Sequence, residues 1–158
     1  MTREADALDE SRIARALPMS LDRKMTADEY LVAVVDDEES VRKALVRLFK
    51  SADINASPFS SAREFLRSLE HLHVDCLVLD LQMPDMTGLD LQRYLQMVRP
   101  ELQIPVIIIT AHDEPGVRER CFAAGVGAYL RKPVEGSALL AAVTKLAHHR
   151  DGGAERSH

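Results

Sequence analysis

The sequence predicts a doubly wound α/β domain, a five-stranded parallel sheet with helices on both faces. Three observations lead there. Short unbroken apolar runs, among them Leu31-Val32-Ala33-Val34-Val35, Cys76-Leu77-Val78-Leu79 and Val106-Ile107-Ile108-Ile109, are bounded by turn residues and read as strands buried on both faces. Each is followed by a stretch whose apolar residues recur at helical spacing. Strands and helices alternate throughout, which calls for parallel pairing with right-handed crossovers.

Residues 1–28 are polar, with charges of both signs and an interruption at Pro18. Ala7 to Leu17 has a short amphipathic pattern, but a loosely ordered, flexible extension is the expectation. The first strand, Leu31 to Val35, is closed by Asp36-Asp37-Glu38-Glu39. Ser40 or one of these acids can cap the next helix, since negative charge favours a helix N-terminus. Val41, Leu45, Leu48 and Phe49 form its apolar stripe. Ile54 to Phe59 is a weaker strand that Pro58 assigns to a sheet edge. Ser60 or Ser61 caps a helix with Phe65, Leu66 and Leu69 as its core face. The central strand runs to Asp80, and a third helix covers Leu89 to Val98 with Tyr94, Leu95 and Val98 facing inward. Pro100 and Pro105 mark the loop after it. Val106 to Ile109, ending in Thr110, is the most strand-like stretch. A helix from Glu114 to Ala124 is closed by Gly125. Ala128-Tyr129-Leu130 is a last short strand entering Lys132-Pro133, and a final helix, Glu135 to His148, carries Leu139, Val143 and Leu146 on one side. Residues 29–148 are the expected domain and residues 149–158 a polar tail.

The chain has 158 residues, 46% apolar and 28% charged, which suits one domain with a substantial core. No apolar stretch approaches the roughly 18 residues of a membrane span, and no signal-peptide core precedes Tyr30. Cys76 and Cys121 stand in apolar contexts and read as structural thiols in a reducing, cytoplasmic setting. The net charge of −5 and the absence of a Lys/Arg cluster interleaved with aromatics argue against a nucleic-acid surface. Proteins are the expected partners. There is no Walker-type loop, dinucleotide fingerprint or Cys/His zinc spacing, and His71, His73, His148, His149 and His158 show no convergent ligand spacing.

The chemistry gathers at the carboxyl ends of the strands, where open α/β sheets hold their ligands. The first gives Asp36 and Asp37, the third Asp80, the fourth Thr110 and the fifth Lys132. Taken alone, Asp80 could simply start a turn, Thr110 could end a strand and Lys132 could be a solvated lysine. Their joint occurrence on one rim favours a site.

The stretches VVDDEES, LVLDLQMPDMTG, PVIIITAH and AYLRKP resemble response-regulator receiver domains of two-component signalling. The match covers about Leu31 to His148, and the TAH after the fourth strand is most similar to FixJ/NarL-type receivers. The resemblance implies a flavodoxin-like strand order of 2-1-3-4-5. It also implies phosphorylation of Asp80 by a histidine kinase or phosphotransfer protein. The chain would assist only its own phosphorylation and dephosphorylation, as a signalling switch and not a metabolic enzyme.

Physical reasoning asks for the same residues. Three carboxylates within ~4–5 Å repel by roughly 4 kcal/mol per pair at an effective dielectric near 20, and one lysine cannot offset that. A small divalent cation is called for, and oxygen ligands with retained waters suit Mg²⁺. By resemblance, Asp37 and Asp80 bind the ion directly and Asp36 acts through water, with the Gln82 backbone carbonyl a further ligand. Mg²⁺, Lys132 and the Thr110 hydroxyl would each take one phosphoryl oxygen. Lys132-Pro133 is expected to be cis, as in receivers, although trans is the commoner state of such bonds.

The resemblance further implies that Thr110 shifts toward the phosphoryl group and Tyr129 swings inward. That would alter a protein-binding surface made by Glu114 to Ala124, Tyr129 and Glu135 to His148, with a phosphorylation-dependent dimer as one outcome. The plainer reading of Tyr129 is a static core aromatic. Gln82 and His112, two residues after Asp80 and Thr110, are placed to tune phosphate lifetime, or are inert exposed side chains. The chain reads as a stand-alone or relay receiver, as the receiver of a longer DNA-binding transcription regulator, or as a pseudo-receiver binding module. An aspartyl-nucleophile phosphatase would carry a second Asp where Gln82 stands.

Overall fold

A computed structural model describes residues 30–156, with side chains described to residue 147. The expected extension, residues 1–28, lies outside the described residues. Among the described residues five strands alternate with five helices: β1 Leu31–Val35, α1 Glu39–Ser51, β2 Asn55–Phe59, α2 Ala62–Ser68, β3 Cys76–Asp80, α3 Gly88–Val98, β4 Val106–Thr110, α4 Val117–Ala123, β5 Ala128–Arg131 and α5 Gly136–Arg156. A 3₁₀ turn, Pro100–Leu102, follows α3. All four strand pairings are parallel, in the order β2-β1-β3-β4-β5. The strand with Pro58 is indeed at an edge, where a missing N–H costs the sheet little.

The alternation of side chains along each strand divides the core in two. Val32, Val34, Val78, Ile107 and Ile109 pack with Leu45 and Phe49 of α1 and Leu139 and Val143 of α5. Val35, Leu77, Leu79 and Ile108 pack on the other face with Phe65 of α2, Leu89, Leu91 and Leu95 of α3, and Val117 and Cys121 of α4. Both cysteines are fully buried. Among the described residues no helix is long and apolar enough to cross a membrane.

Three details depart from the sequence reading. The inward face of α3 is Gly88, Leu89, Leu91, Gln92 and Leu95, while Tyr94 and Val98 are 39% and 50% exposed. Helix α4 starts at Val117 and not at Glu114, because Pro115 biases Glu114 away from helical backbone. Helix α5 continues past His148 to Arg156, through most of the stretch read as a tail. Gly125 follows α4 at φ 96°, the left-handed conformation expected of a helix stop. The Lys132–Pro133 bond is cis.

Candidate functional site

Register brings the polar strand ends together. Val35 of β1 is opposite Leu79 of β3, so Asp36 and Asp80 emerge side by side. Asp80 is opposite Ile109 and Thr110 is opposite Arg131, which sets Thr110 and Lys132 at the next two strand ends. Asp36 and Thr110 are fully buried, Asp80 is 3% exposed, and Asp37 lies open to solvent.

One carboxylate oxygen from each of Asp36, Asp37 and Asp80 lies within 4.8 Å of the others. Lys132 Nζ reaches into this group, 2.9 Å from Asp36 Oδ2, 3.3 Å from Asp80 Oδ1 and 3.5 Å from Glu38 Oε1. Asp36 Oδ1 accepts the Glu38 N–H at 2.9 Å, and Arg42 Nη1 donates to the Asp36 carbonyl at 2.7 Å. Asp36 Oδ2 is buried, and the Lys132 ammonium is the charge that faces it.

Burial, then the charge of Asp36, pushes the Asp80 carboxyl up to about 7, against the opposing pull of Lys132 and a hydrogen bond from the Gln82 backbone. Burial alone would lower Lys132, but Asp36 and Asp80 outweigh it and hold the ammonium above its ordinary range. The arrangement is an electron-rich oxygen cluster with too little positive charge of its own. Its donor set is hard carboxylate oxygen, which fits a small divalent cation such as Mg²⁺.

The Thr110 hydroxyl donates to the His112 carbonyl at 2.9 Å and accepts the His112 N–H at 3.0 Å. It is held by its own loop. Tyr129 is already buried at 6% exposure, and its hydroxyl donates to Asp113 Oδ1 at 3.2 Å. Burial, then that bond, pushes the phenol up to about 12. Gln82 and His112 are exposed beside the site.

The support of the site includes residues the sequence did not single out for it. Glu38 is the third acid on Lys132, and it directly follows the acid pair. Gly88 opens α3 against the Asp80 backbone, where an added Cβ would stand 2.4 Å from the Asp80 carbonyl oxygen. Arg42 and Asp113 carry no local signal, because only tertiary contact gives them partners.

The fold and this rim of two acids, an acid, a threonine and a lysine define a class. The chain belongs to the response regulator receiver domain family, which matches residues 32–144. It is similar to response regulator protein TmoT of Ectopseudomonas mendocina, 36% identical over 130 residues, 82% of this chain and 58% of that protein. Transcriptional regulatory protein FixJ of Rhizobium meliloti is 33% identical over 121 residues, 77% of this chain and 58% of that protein. The solved structure of FixJ-N superposes with a TM-score of 0.70 at 33% identity, covering 79% of this chain and 97% of that one. The expected FixJ-type receiver and its strand order are thereby met. The chain spans roughly half to three-fifths of the length of such curated relatives, 58%, 49% and 60% of the first three.

Proposed function

We propose that this receiver accepts a phosphoryl group on Asp80 from a phosphohistidine of a kinase or phosphotransfer protein, with Mg²⁺ as cofactor. The observation that carries the reading is the convergence of Asp36, Asp37 and Asp80 with Lys132 3.3 Å from the Asp80 carboxylate. An Asp80 oxygen forms the new bond to phosphorus as the phosphorus–nitrogen bond breaks, and the departing imidazole keeps the electron pair and takes up a proton. Asp37 and Asp80 would hold Mg²⁺ directly, Asp36 through water, and the Gln82 carbonyl would complete the protein's share. When bound, Mg²⁺ neutralises one phosphoryl oxygen and the mutual repulsion of the acids. Lys132 pairs with a second oxygen, and the Thr110 hydroxyl, on leaving the His112 carbonyl, meets a third. Such transfer needs positioning and charge neutralisation above all.

The added phosphoryl brings nearly two negative charges and new acceptor oxygens. Movement of Thr110 and a further inward movement of Tyr129 then change the surface around β5, the sheet edge with α4 on one face and α5 on the other. That surface is the proposed site of a downstream partner or second copy. The relatives named as transcriptional regulators support a regulatory output in a longer protein. Gln82 and His112 tune the phosphate lifetime by controlling the approach of water; unchanged dephosphorylation in both Gln82→Ala and His112→Ala counts against this role.

The deciding experiment is intact mass after incubation with Mg²⁺ and a small phosphodonor. One phosphoryl gained by the parent and none by Asp80→Asn is the expected result. No gain by the parent overturns the reading.

A further inference from the structure

Asp37 is the exposed member of the acid pair, and among the described residues no hydrogen bond or ion pair holds its carboxylate. Its aim is set by the two peptide units that flank it. The Asp36 carbonyl on one side accepts from Arg42 Nη1 at 2.7 Å, and the Glu38 N–H on the other donates to Asp36 Oδ1 at 2.9 Å. Each peptide unit is planar, so holding both leaves the Asp37 dihedrals little freedom. Asp36 is itself anchored. Its N–H donates to the Phe59 carbonyl at 3.2 Å, and its carboxylate faces Lys132 Nζ at 2.9 Å.

Arg42 reaches this carbonyl from the first turn of α1, where its own N–H donates to the Glu38 carbonyl at 3.1 Å. Helical side chains tilt toward the N-terminus, which carries the guanidinium back over the acid turn. A cation near a helix N-terminus opposes the macrodipole. The bond to the Asp36 carbonyl is charge-assisted and partly buried, and it offsets that cost. Lys43, the next residue, makes its ion pair with Glu39 at 3.1 Å, both side chains being well exposed.

We propose that Arg42 is a positioning residue for the divalent cation, holding the Asp36–Asp37 peptide so that the Asp37 carboxylate stays grouped with those of Asp36 and Asp80. The proposal rests on the reading of Asp37 and Asp80 as Mg²⁺ ligands above, and adds the residue through which α1 sets the cation's affinity. Charge and position act here with opposite signs. Removing a cation beside three carboxylates should, by Coulomb's law alone, tighten Mg²⁺ binding. Freeing the peptide that aims Asp37 should weaken it, as losing the outer support of a metal ligand does. The sign of the change therefore separates positioning from simple charge.

The test uses the full chain without a phosphodonor, following amide NMR shifts through Mg²⁺ titrations of the parent, Arg42→Ala, Arg42→Lys and Lys43→Ala. Arg42→Ala should bind Mg²⁺ roughly three- to tenfold more weakly, the scale of one lost hydrogen bond. Arg42→Lys keeps the charge and a shorter-reaching donor, and should fall between Arg42→Ala and the parent. Lys43→Ala removes a charge from the same turn but no bond to Asp36, and should bind as tightly as the parent or slightly tighter. With a small phosphodonor added, saturating Mg²⁺ should bring Arg42→Ala to within about twofold of the parental phosphorylation rate, since the loss lies in binding. An Arg42→Ala affinity at or above the parent's, or an equal loss in Lys43→Ala, overturns the proposal. So does a rate still depressed severalfold at saturating Mg²⁺. A parent that takes up no Mg²⁺ overturns the receiver chemistry beneath it, a failure distinct from these.

Discussion

Lys132 Nζ lies 2.9 Å from Asp36 Oδ2, an oxygen of a fully buried carboxylate. The lysine is thus the counter-charge of Asp36 as well as the proposed partner of a phosphoryl oxygen. Breaking a buried pair by removing one partner leaves the other charge uncompensated. Lys132→Met should cost about 2–4 kcal/mol in chemical denaturation at pH 7, beyond what a surface lysine contributes. Millimolar Mg²⁺ should recover more of the variant's stability than of the parent's, since it replaces the missing positive charge. A variant as stable as the parent in the presence of chelator would show that Asp36 needs no such partner.

Asp80 gives stability a pH dependence of unusual sign for a carboxylate. Burial and Asp36 raise its folded-state value from 3.8 to about 7. Between those values the folded chain holds a proton that the unfolded chain has released. The unfolded state binds fewer protons there, so stability falls as pH rises from about 4 to about 7. One proton of difference is worth at most ~1.4 kcal/mol per pH step of one, so the loss across the window is about 2–4 kcal/mol. In chelator, Asp80→Asn should gain on the parent across this window and hold a constant lead above it. Parallel denaturation curves for the two proteins from pH 4 to 8 would contradict a raised Asp80.

The same proton competes with a cation. Ligand carboxylates must be ionised to bind metal, so Mg²⁺ binding should release protons from Asp80. Apparent Mg²⁺ affinity should climb by up to about tenfold per pH unit below 7 and level off above it. Titrations at pH 5.5, 6.5, 7.5 and 8.5 check this; an affinity flat across the series is the contrary result.

Much of this was legible because strand ends are legible. In β1, β3 and β4, apolar runs stop abruptly at Asp36, Asp80 and Thr110, and parallel topology then puts those stops on one rim. Helix faces were harder. Tyr94 and Val98 look inward by hydrophobicity alone, yet Gln92 is buried in α3 with its amide donating to the Ala124 carbonyl at 2.8 Å. A polar residue satisfied by a distant carbonyl leaves no trace in a periodicity. The same applies to Arg42 and Asp113, whose roles depend on the Asp36 carbonyl and the Tyr129 hydroxyl. The exposed Met97, Tyr94 and Val98 are apolar without being core, as surface apolar residues often are.

Gly88 links the aim of Asp80 to the start of α3. An added Cβ would lie 2.4 Å from the Asp80 carbonyl oxygen and 3.1 Å from both Asp80 C and Leu81 Cα, all backbone atoms that cannot swing aside. The helix start cannot readily retreat either. The Gly88 N–H donates to the Leu81 carbonyl at 2.9 Å, and Thr87 and Asp90 close a capping box around the same turn. Gly88→Ala should therefore cost about 1–3 kcal/mol as an overpacked contact. It should also slow phosphorylation by a small phosphodonor severalfold, because a sub-ångström shift of the nucleophile degrades the reacting geometry. Thr87→Ala is the control. It loses the cap, about 1 kcal/mol, but adds no atom against Asp80, so its phosphorylation rate should stay near the parent's. Gly88→Ala with a parental rate would mean that the β3 end absorbs the displacement without turning the Asp80 carboxylate. Equal slowing in both variants would assign the effect to the helix start itself and not to the contact with Asp80.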